Sequence, residues 1–278
     1  MSAALLEVED LRVRFPLAEG VVEAVRGVSF TLGRERLGIV GESGSGKSQT
    51  GRAILGLTAK PGVVNAKRLA FDGIDLMTAS PTERRALRGS RMTMVMQDPR
   101  FSLNPVMTVE QQIIEAFRAH RRASKRAARE AALAMLEAVQ IREPDRVMAL
   151  FPHELSGGMG QRLMIAMMLI TDPELMIADE PTSALDVTVR IEVLRILDQL
   201  VATRGMGLIL ISHDLELVAS FCDRILVMYA GRVVEELASG ALGEARHPYT
   251  RGLIGCMPKL SGDSHPLPVL QRDAGWAL

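Results

Sequence analysis

The chain has 278 residues, 47% of them hydrophobic and 24% charged, and its 33 Lys and Arg balance 33 Asp and Glu. That composition supplies a sizeable core. Zero net charge gives no global attraction to nucleic acid or an anionic membrane, and two cysteines, Cys222 and Cys256, exclude a disulfide framework and suit a reducing compartment. Met1 to Phe15 alternates like a strand and carries Glu7, Glu9 and Asp10, which is not the pattern of a secretory leader. Leu11 to Phe15 and Val25 to Leu32 predict two strands, joined by a turn around Pro16 to Gly20. Leu37 to Val40 is a short apolar run, read as a buried strand.

The next segment carries the strongest signal. Gly41-Glu42-Ser43-Gly44-Ser45-Gly46-Lys47-Ser48 fits the phosphate-loop pattern G-x-x-x-x-G-K-[ST] without a mismatch. Gln49 to Leu57 can follow it as a helix, so strand, glycine loop and helix start stand in the order that the chemistry needs. The glycines let successive backbone N–H groups turn toward one anion, and the helix dipole adds positive potential there. Lys47 reaches the β- and γ-phosphates, and Ser48 supplies a hydroxyl to Mg²⁺. A plain glycine-rich turn is the rival reading, and the rest of the chain weighs against it.

Further along, Leu69 to Phe71 and Met92 to Met96 predict strands, the second ending at Gln97. Helical pattern dominates from Thr108 to Leu150, with Ala131, Met135, Ala138 and Val139 as an apolar face. Arg118, Arg122, Lys125 and Arg129 form a basic stripe on that stretch, read as a solvated helix face rather than a nucleic-acid or lipid contact. The longest apolar run, Leu163 to Ile170, falls far short of the roughly 20 residues that span a bilayer, so membrane association is expected to go through a partner. Gly157 starts a helix reaching about Thr171. Leu175 to Ala178, Gly207 to Ile211 and Ile225 to Tyr229 predict strands, with helices between them at Val187 to Arg204 and Leu215 to Cys222. That alternation implies a mainly parallel sheet. From Ala241 a polar, proline-bearing tail follows, with one short helical segment near Thr250 to Cys256. It is expected to be an appendage.

Asp179 and Glu180 close the apolar run Leu175 to Ala178. Two carboxylates at the end of a buried strand are costly without a partner, and a magnesium–nucleotide site supplies one. Asp179 would hold Mg²⁺ through water, and Glu180 would polarise the water that attacks the γ-phosphate. Ser156 is an N-cap candidate, and Gly157 and Gly158 let the following helix start approach phosphate oxygens.

Leu155-Ser156-Gly157-Gly158-Met159, upstream of Asp179-Glu180, resembles the signature of ATP-binding-cassette ATPases, with Met159 where glutamine is usual, a variant of the branch that drives peptide and nickel uptake. The resemblance assigns further roles. Gln97 matches the glutamine that senses Mg²⁺ and couples to the membrane partner. Ser183-Ala184-Leu185-Asp186 resembles the segment that crosses the dimer seam, and His213 the switch histidine on the γ-phosphate. Phe15 matches the aromatic that stacks on adenine, and core packing stays open for it as an alternative. Arg246 to Leu253, with His247-Pro248-Tyr249-Thr250 at its centre, looks like the element that follows the ATPase core in the peptide/nickel importer branch. Gly160 departs from the Arg or Lys usual there. These 278 residues do not match the cysteine-bearing extension found in many members of the branch, so an iron–sulfur cluster is not expected.

The implied fold is α/β: a P-loop NTPase (RecA-like) core with an antiparallel β subdomain and a helical signature subdomain. The expected boundaries are 1–98 and 160–240 for the core, 99–159 for the helical subdomain and 241–278 for the tail. The implied function is ATP hydrolysis, with ATP and Mg²⁺ as cofactors, powering a bacterial importer of peptides or of nickel or another metal chelate. Implied partners are integral-membrane permease subunits, a second ATPase subunit of a different or the same chain, and a solute-binding protein, without nucleic acid. The implied place is the cytoplasmic face of the bacterial inner membrane, held there peripherally. Phe101, Asn104 and Pro105 are expected to line the groove for the permease. The rivals are a soluble ATPase of the same class acting on DNA or ribosomes, which the lack of long coiled-coil inserts disfavours, and a regulatory module without turnover, which the intact Glu180 disfavours.

Overall fold

The computed structural model describes residues 4–96, 102–183, 185–257 and 274–277. Gln97, Phe101 and Ala184 lie outside the described residues. The chain divides into two compact units, Met1–Ala79 with Ile209–Leu278, and Ser80–Leu208.

In the first unit, β1 (Leu6–Leu17) and β2 (Gly20–Leu32) form a long antiparallel hairpin with Leu17 opposite Gly20. The turn is thus only Ala18 and Glu19, and Pro16 stays in the strand. On its other side β1 pairs with β4 (Val63–Asn65) through Arg12 to Arg14 and with β5 (Arg68–Phe71) through Leu6 to Glu9. Pro16 lies beyond both, at an edge position where a proline is tolerated. β6 (Ile74–Asp75) completes this antiparallel sheet beside β5.

The same unit holds β3 (Arg36–Val40), parallel to β10 (Arg224–Tyr229), which in turn pairs antiparallel with β11 (Arg232–Ala238). Leu37, Ile39 and Val40 have no exposed surface, as a strand covered on both faces requires. α1 (Lys47–Ile54) follows the phosphate loop, and α8 (Leu215–Phe221) lies against β3. A Cβ on Gly38 would come within 2.0 Å of the Val218 side chain, so β3 and α8 are in close contact.

α9 (Pro248–Gly255) corrects the reading of the tail as an appendage. Tyr249 is fully buried and among the largest side chains that are. Its ring centroid lies 4.6 Å from that of Tyr229 and 5.8 Å from that of Trp276. Burying one such aromatic ring stabilises docking by about 2–3 kcal/mol, enough to hold a short helix that a polar, proline-rich sequence would not hold alone. Glu235 on β11 ties the approach to α9. Burial pushes its carboxyl up, but the Thr250 side chain, and after it the backbone N–H groups of Arg246 and His247, bring it below its ordinary value.

In the second unit, β7 (Met92–Val95) and β8 (Leu175–Asp179) pair in parallel. The N–H of Gly207, which opens β9 (Gly207–Ser212), donates to Glu174 O at 2.8 Å. The chain returns to the first unit within β9. α2 (Pro81–Leu87) starts at a capping box in which Ser80 and Glu83 exchange hydrogen bonds.

The long helical stretch breaks into α3 (Val109–His120), α4 (Lys125–Ala138) and α5 (Pro144–Met148). The break follows from Ser124, whose extended backbone lets its hydroxyl accept from the Ala127 N–H and start a new helix. The basic stripe therefore does not lie on one helix: Arg118 is on α3, Arg122 in the break, and Lys125 and Arg129 on α4. Arg129 is paired with Glu110 and Asp145. The buried face of α4 is Ala128, Ala132, Met135 and Leu136, with Val139 just after it, whereas Ala138 is exposed. α6 (Gly157–Leu169) and α7 (Val187–Arg204) complete the unit.

Cys222 is buried beside β3, and burial, reinforced by Asp223, pushes its thiol up to about 12. The thiolate, the reacting species, is then absent at neutral pH. Under native conditions a maleimide is expected to modify Cys256 alone, with Cys222 becoming reactive only in denaturant. Mass mapping of the labelled peptides checks this.

Candidate functional site

In the first unit the phosphate loop runs from the C-terminal end of β3 into α1. Gly46 is the N-cap of α1 with φ 98°, and a Cβ there would lie 2.4 Å from Ala24 O. Gly41, at φ 153°, has Met228 O 2.1 Å from where a Cβ would stand. No L side chain fits either position, which explains the glycines at both ends of the loop. The loop is clamped from outside by the Gly231 N–H, which donates to Ser45 O at 3.1 Å, while the Arg26 N–H donates to Gly231 O at 2.7 Å.

Lys47 is only 7% exposed. Its Nζ donates to Gly41 O at 2.7 Å and Glu42 O at 2.9 Å, so the ammonium is seated on the loop's own carbonyls. Ser43 and Gly44 are exposed, while Ser48 is half-buried in the first turn of α1. A cation and a helix start thus meet in one short glycine loop, the arrangement that binds a polyphosphate.

His213 is exposed directly after β9. The turn that presents it is fixed by Asp214, whose N–H donates to Ser212 Oγ and whose carboxylate accepts from the Leu217 N–H to cap α8. Phe15 is half-buried on β1 opposite Val22, and a Cβ on Gly62 would stand 2.7 Å from its ring edge.

In the second unit, Asp179 ends β8 and is 5% exposed, and Glu180 follows with φ 50°, in the left-handed region. Such a backbone is uncommon outside glycine and, in a residue at a strand end, redirects the side chain out of the sheet's alternation. Ser183 closes the turn by donating its N–H and its hydroxyl to Glu180 O. Ser156 caps α6, its hydroxyl accepting from the Met159 N–H at 3.3 Å. Asp186 caps α7, accepting from the Val189 N–H at 3.0 Å. Cβ atoms on Gly157 and Gly158 would approach Leu185 and Val189, so the signature glycines and the start of α7 adjoin. Gly160 is buried within α6, and nothing in the structure gives it a further role.

The described residues of the second unit also form a groove of about 990 Å³, lined among others by Val106, Gln111, Ile114, Arg118 and Lys125. Asn104 and Pro105, expected there, are exposed just before it. Sequence reasoning missed Val106, which is 79% exposed. Its only signal is an apolar residue in a segment flanked by Pro105 and the Thr108 cap.

Residues 25–183 match the ABC transporter family. The chain belongs to that family, and its fold is that of the family's ATPase cassette. It is 45% identical over 96% of its length to the dipeptide transport ATP-binding protein DppD of Haemophilus influenzae, covering 82% of that protein. It is 46% identical over 93% of its length to the oligopeptide transport ATP-binding protein OppD of Salmonella typhimurium, covering 78% of that protein. Among solved structures, it matches the dimeric post-hydrolysis state of the cassette MJ0796 bound to ADP and Pi, with a TM-score of 0.74 and 26% identity. That match covers 84% of this chain and 98% of the other.

Proposed function

We propose that this chain is the ATP-hydrolysing subunit of a bacterial ABC importer of peptides. The observation that carries this reading is the intact phosphate loop with Lys47 seated across it. The relatives are dipeptide and oligopeptide transport proteins, which supports peptides as the solute class. A role on DNA or ribosomes has no counterpart among those relatives.

In this reading Lys47 and the loop N–H groups bind the β- and γ-phosphates. The hydroxyl of Ser48 and the carboxylate of Asp179 are hard oxygen donors that suit Mg²⁺, with Gln97 as the third group. When bound, Mg²⁺ neutralises phosphate charge. Glu180 takes the proton of the attacking water, His213 contacts the γ-phosphate, and Phe15 stacks on adenine. Two cassettes close head to tail, so that Ser156, Gly157 and Gly158 of one cover the nucleotide held by the other, with Asp186 near the seam. The second cassette is a different chain or another copy, and a solute-binding protein delivers the peptide.

Among the described residues no helix is long and apolar enough to cross a membrane. In this reading separate permease subunits carry the path, and the subunit sits at the cytoplasmic face of the cell membrane. The groove around Val106, an exposed apolar residue at its rim, is in this reading the docking surface. Val106→Asp is expected to keep ATP affinity and thermal midpoint unchanged and to lose the membrane subunits in a detergent pull-down from the native host, with peptide uptake falling at least about tenfold. Normal pull-down and uptake would remove the groove from this role.

A further inference from the structure

We propose that Tyr249 is a positioning residue for the phosphate loop, through which the docked C-terminal helix α9 sets the affinity for ATP. The inference rests on the phosphate loop being the nucleotide site. Its core is one peptide plane. The Glu42 N–H donates to the Tyr249 hydroxyl at 2.9 Å, across a separation of 207 residues. The carbonyl of the same peptide, Gly41 O, accepts from Lys47 Nζ at 2.7 Å. A peptide group is planar and rigid, so fixing its N–H fixes the direction of its C=O. Tyr249 thus orients the carbonyl that seats the ammonium for the phosphates.

The Lys47 ammonium and the Ser45 N–H hold Glu42 on its C-terminal side, at Glu42 O, and not at its N–H. Gly41 and Gly44 have positive φ and Ser43 is exposed, so the Gly41–Glu42 plane is bordered by permissive backbone. The rest of the clamp, from Gly231, holds the loop at Ser45.

Tyr249 itself is held on every side. Its ring is fully buried against Tyr229 and Trp276. Its N–H donates to His247 Nδ1, and the His247 N–H in turn donates to Glu235. Glu235, α9 and Trp276 therefore act on the phosphate loop through one hydroxyl.

The test uses the purified full chain and ATP with Mg²⁺. Tyr249→Phe removes the acceptor and keeps the ring. Removing the acceptor of this part-buried N–H is expected to raise the Kd and KM for ATP about tenfold, with kcat at saturating ATP changed less than about twofold. Because the effect runs through Lys47, affinity for ADP should fall as well and that for AMP should not. Trp276 is the chain's single tryptophan, and its ring lies 5.8 Å from Tyr249. ATP is therefore expected to change tryptophan emission in the natural chain, and the change should vanish in Tyr249→Phe. Unaltered ATP affinity in a folded Tyr249→Phe would overturn the proposal, whatever its thermal midpoint. If that variant does not fold, the natural chain decides: ATP binding by calorimetry with silent Trp276 emission would overturn it, and a saturable change would support it. Failure of the natural chain to bind ATP at all would instead defeat the nucleotide reading on which the inference rests.

Discussion

Lys47→Ala is expected to remove measurable ATP binding at ordinary nucleotide concentrations and with it all turnover. The ammonium is the one cation in the loop motif, and a charge-assisted hydrogen bond to phosphate is worth about 1.5–3 kcal/mol, or roughly ten- to a hundredfold in Kd for each bond lost. Losing charge stabilisation of the transferring phosphoryl group adds a further factor of about 10²–10³ in rate. The substitution also strips Gly41 O and Glu42 O of the donor that holds them, so the loop itself loosens. That second effect is separable. A loosened surface loop costs about 1 kcal/mol and lowers the thermal midpoint by a few degrees, while the folded fraction at room temperature stays near one. Calorimetric titration of ATP into the variant, beside its melting curve, is the measurement. Lys47→Arg is the informative companion, because its planar guanidinium keeps the charge but not the compact seat on two carbonyls, and it should recover little. Normal affinity in folded Lys47→Ala would take the phosphate loop out of nucleotide binding altogether.

The parts of this fold that were legible in the sequence are those whose physics is local. The loop from Gly41 to Ser48 announces itself because positive φ and crowding by Met228 O and Ala24 O demand glycine at Gly41 and Gly46. β3, β8, β9 and β10 read as short apolar runs because strands buried on both faces admit little else. Ser156, Asp186 and Ser124 all cap helices. The first two follow a motif that draws the eye, whereas Ser124 sits in a polar stretch whose helical character runs on past it, so the break between α3 and α4 was hidden. β11 was missed because its residues are half-buried or exposed, leaving no strong alternation. The burial of Tyr249 was illegible for a different reason. It belongs to a proline-bearing polar segment, and its partners, Glu42 and Tyr229, are distant in sequence. Gln97 and Phe101, on which the sequence reading placed the coupling to a membrane partner, fall outside the described residues.

Glu180→Gln should bind ATP with near-natural affinity and hydrolyse it about 10²–10⁴ times more slowly, the usual range for loss of a general base. Amide and carboxylate have the same shape, so neither the buried end of β8 nor the turn closed by Ser183 on Glu180 O is disturbed. The left-handed backbone at Glu180 costs glutamine no more than it costs glutamate, and the thermal midpoint should therefore stay within about 2 °C. Lys47 and its loop carbonyls are untouched, which is why binding and turnover separate here and fall together in Lys47→Ala. The consequence for assembly follows from mass action. Where closure of two cassettes is favoured by ATP and reversed by hydrolysis, a slow variant accumulates in the closed state. Incubated with ATP and Mg²⁺ alongside its partner cassette, Glu180→Gln should migrate as a dimer in gel filtration, and the same mixture with ADP should not. Single-turnover assays locate the defect: the γ-phosphate should remain uncleaved on the protein, rather than being cleaved and retained. Unchanged turnover in the assembled complex would free Glu180 from the role of base, and cleavage with slow release would move the defect from the attacking water to the opening of the dimer.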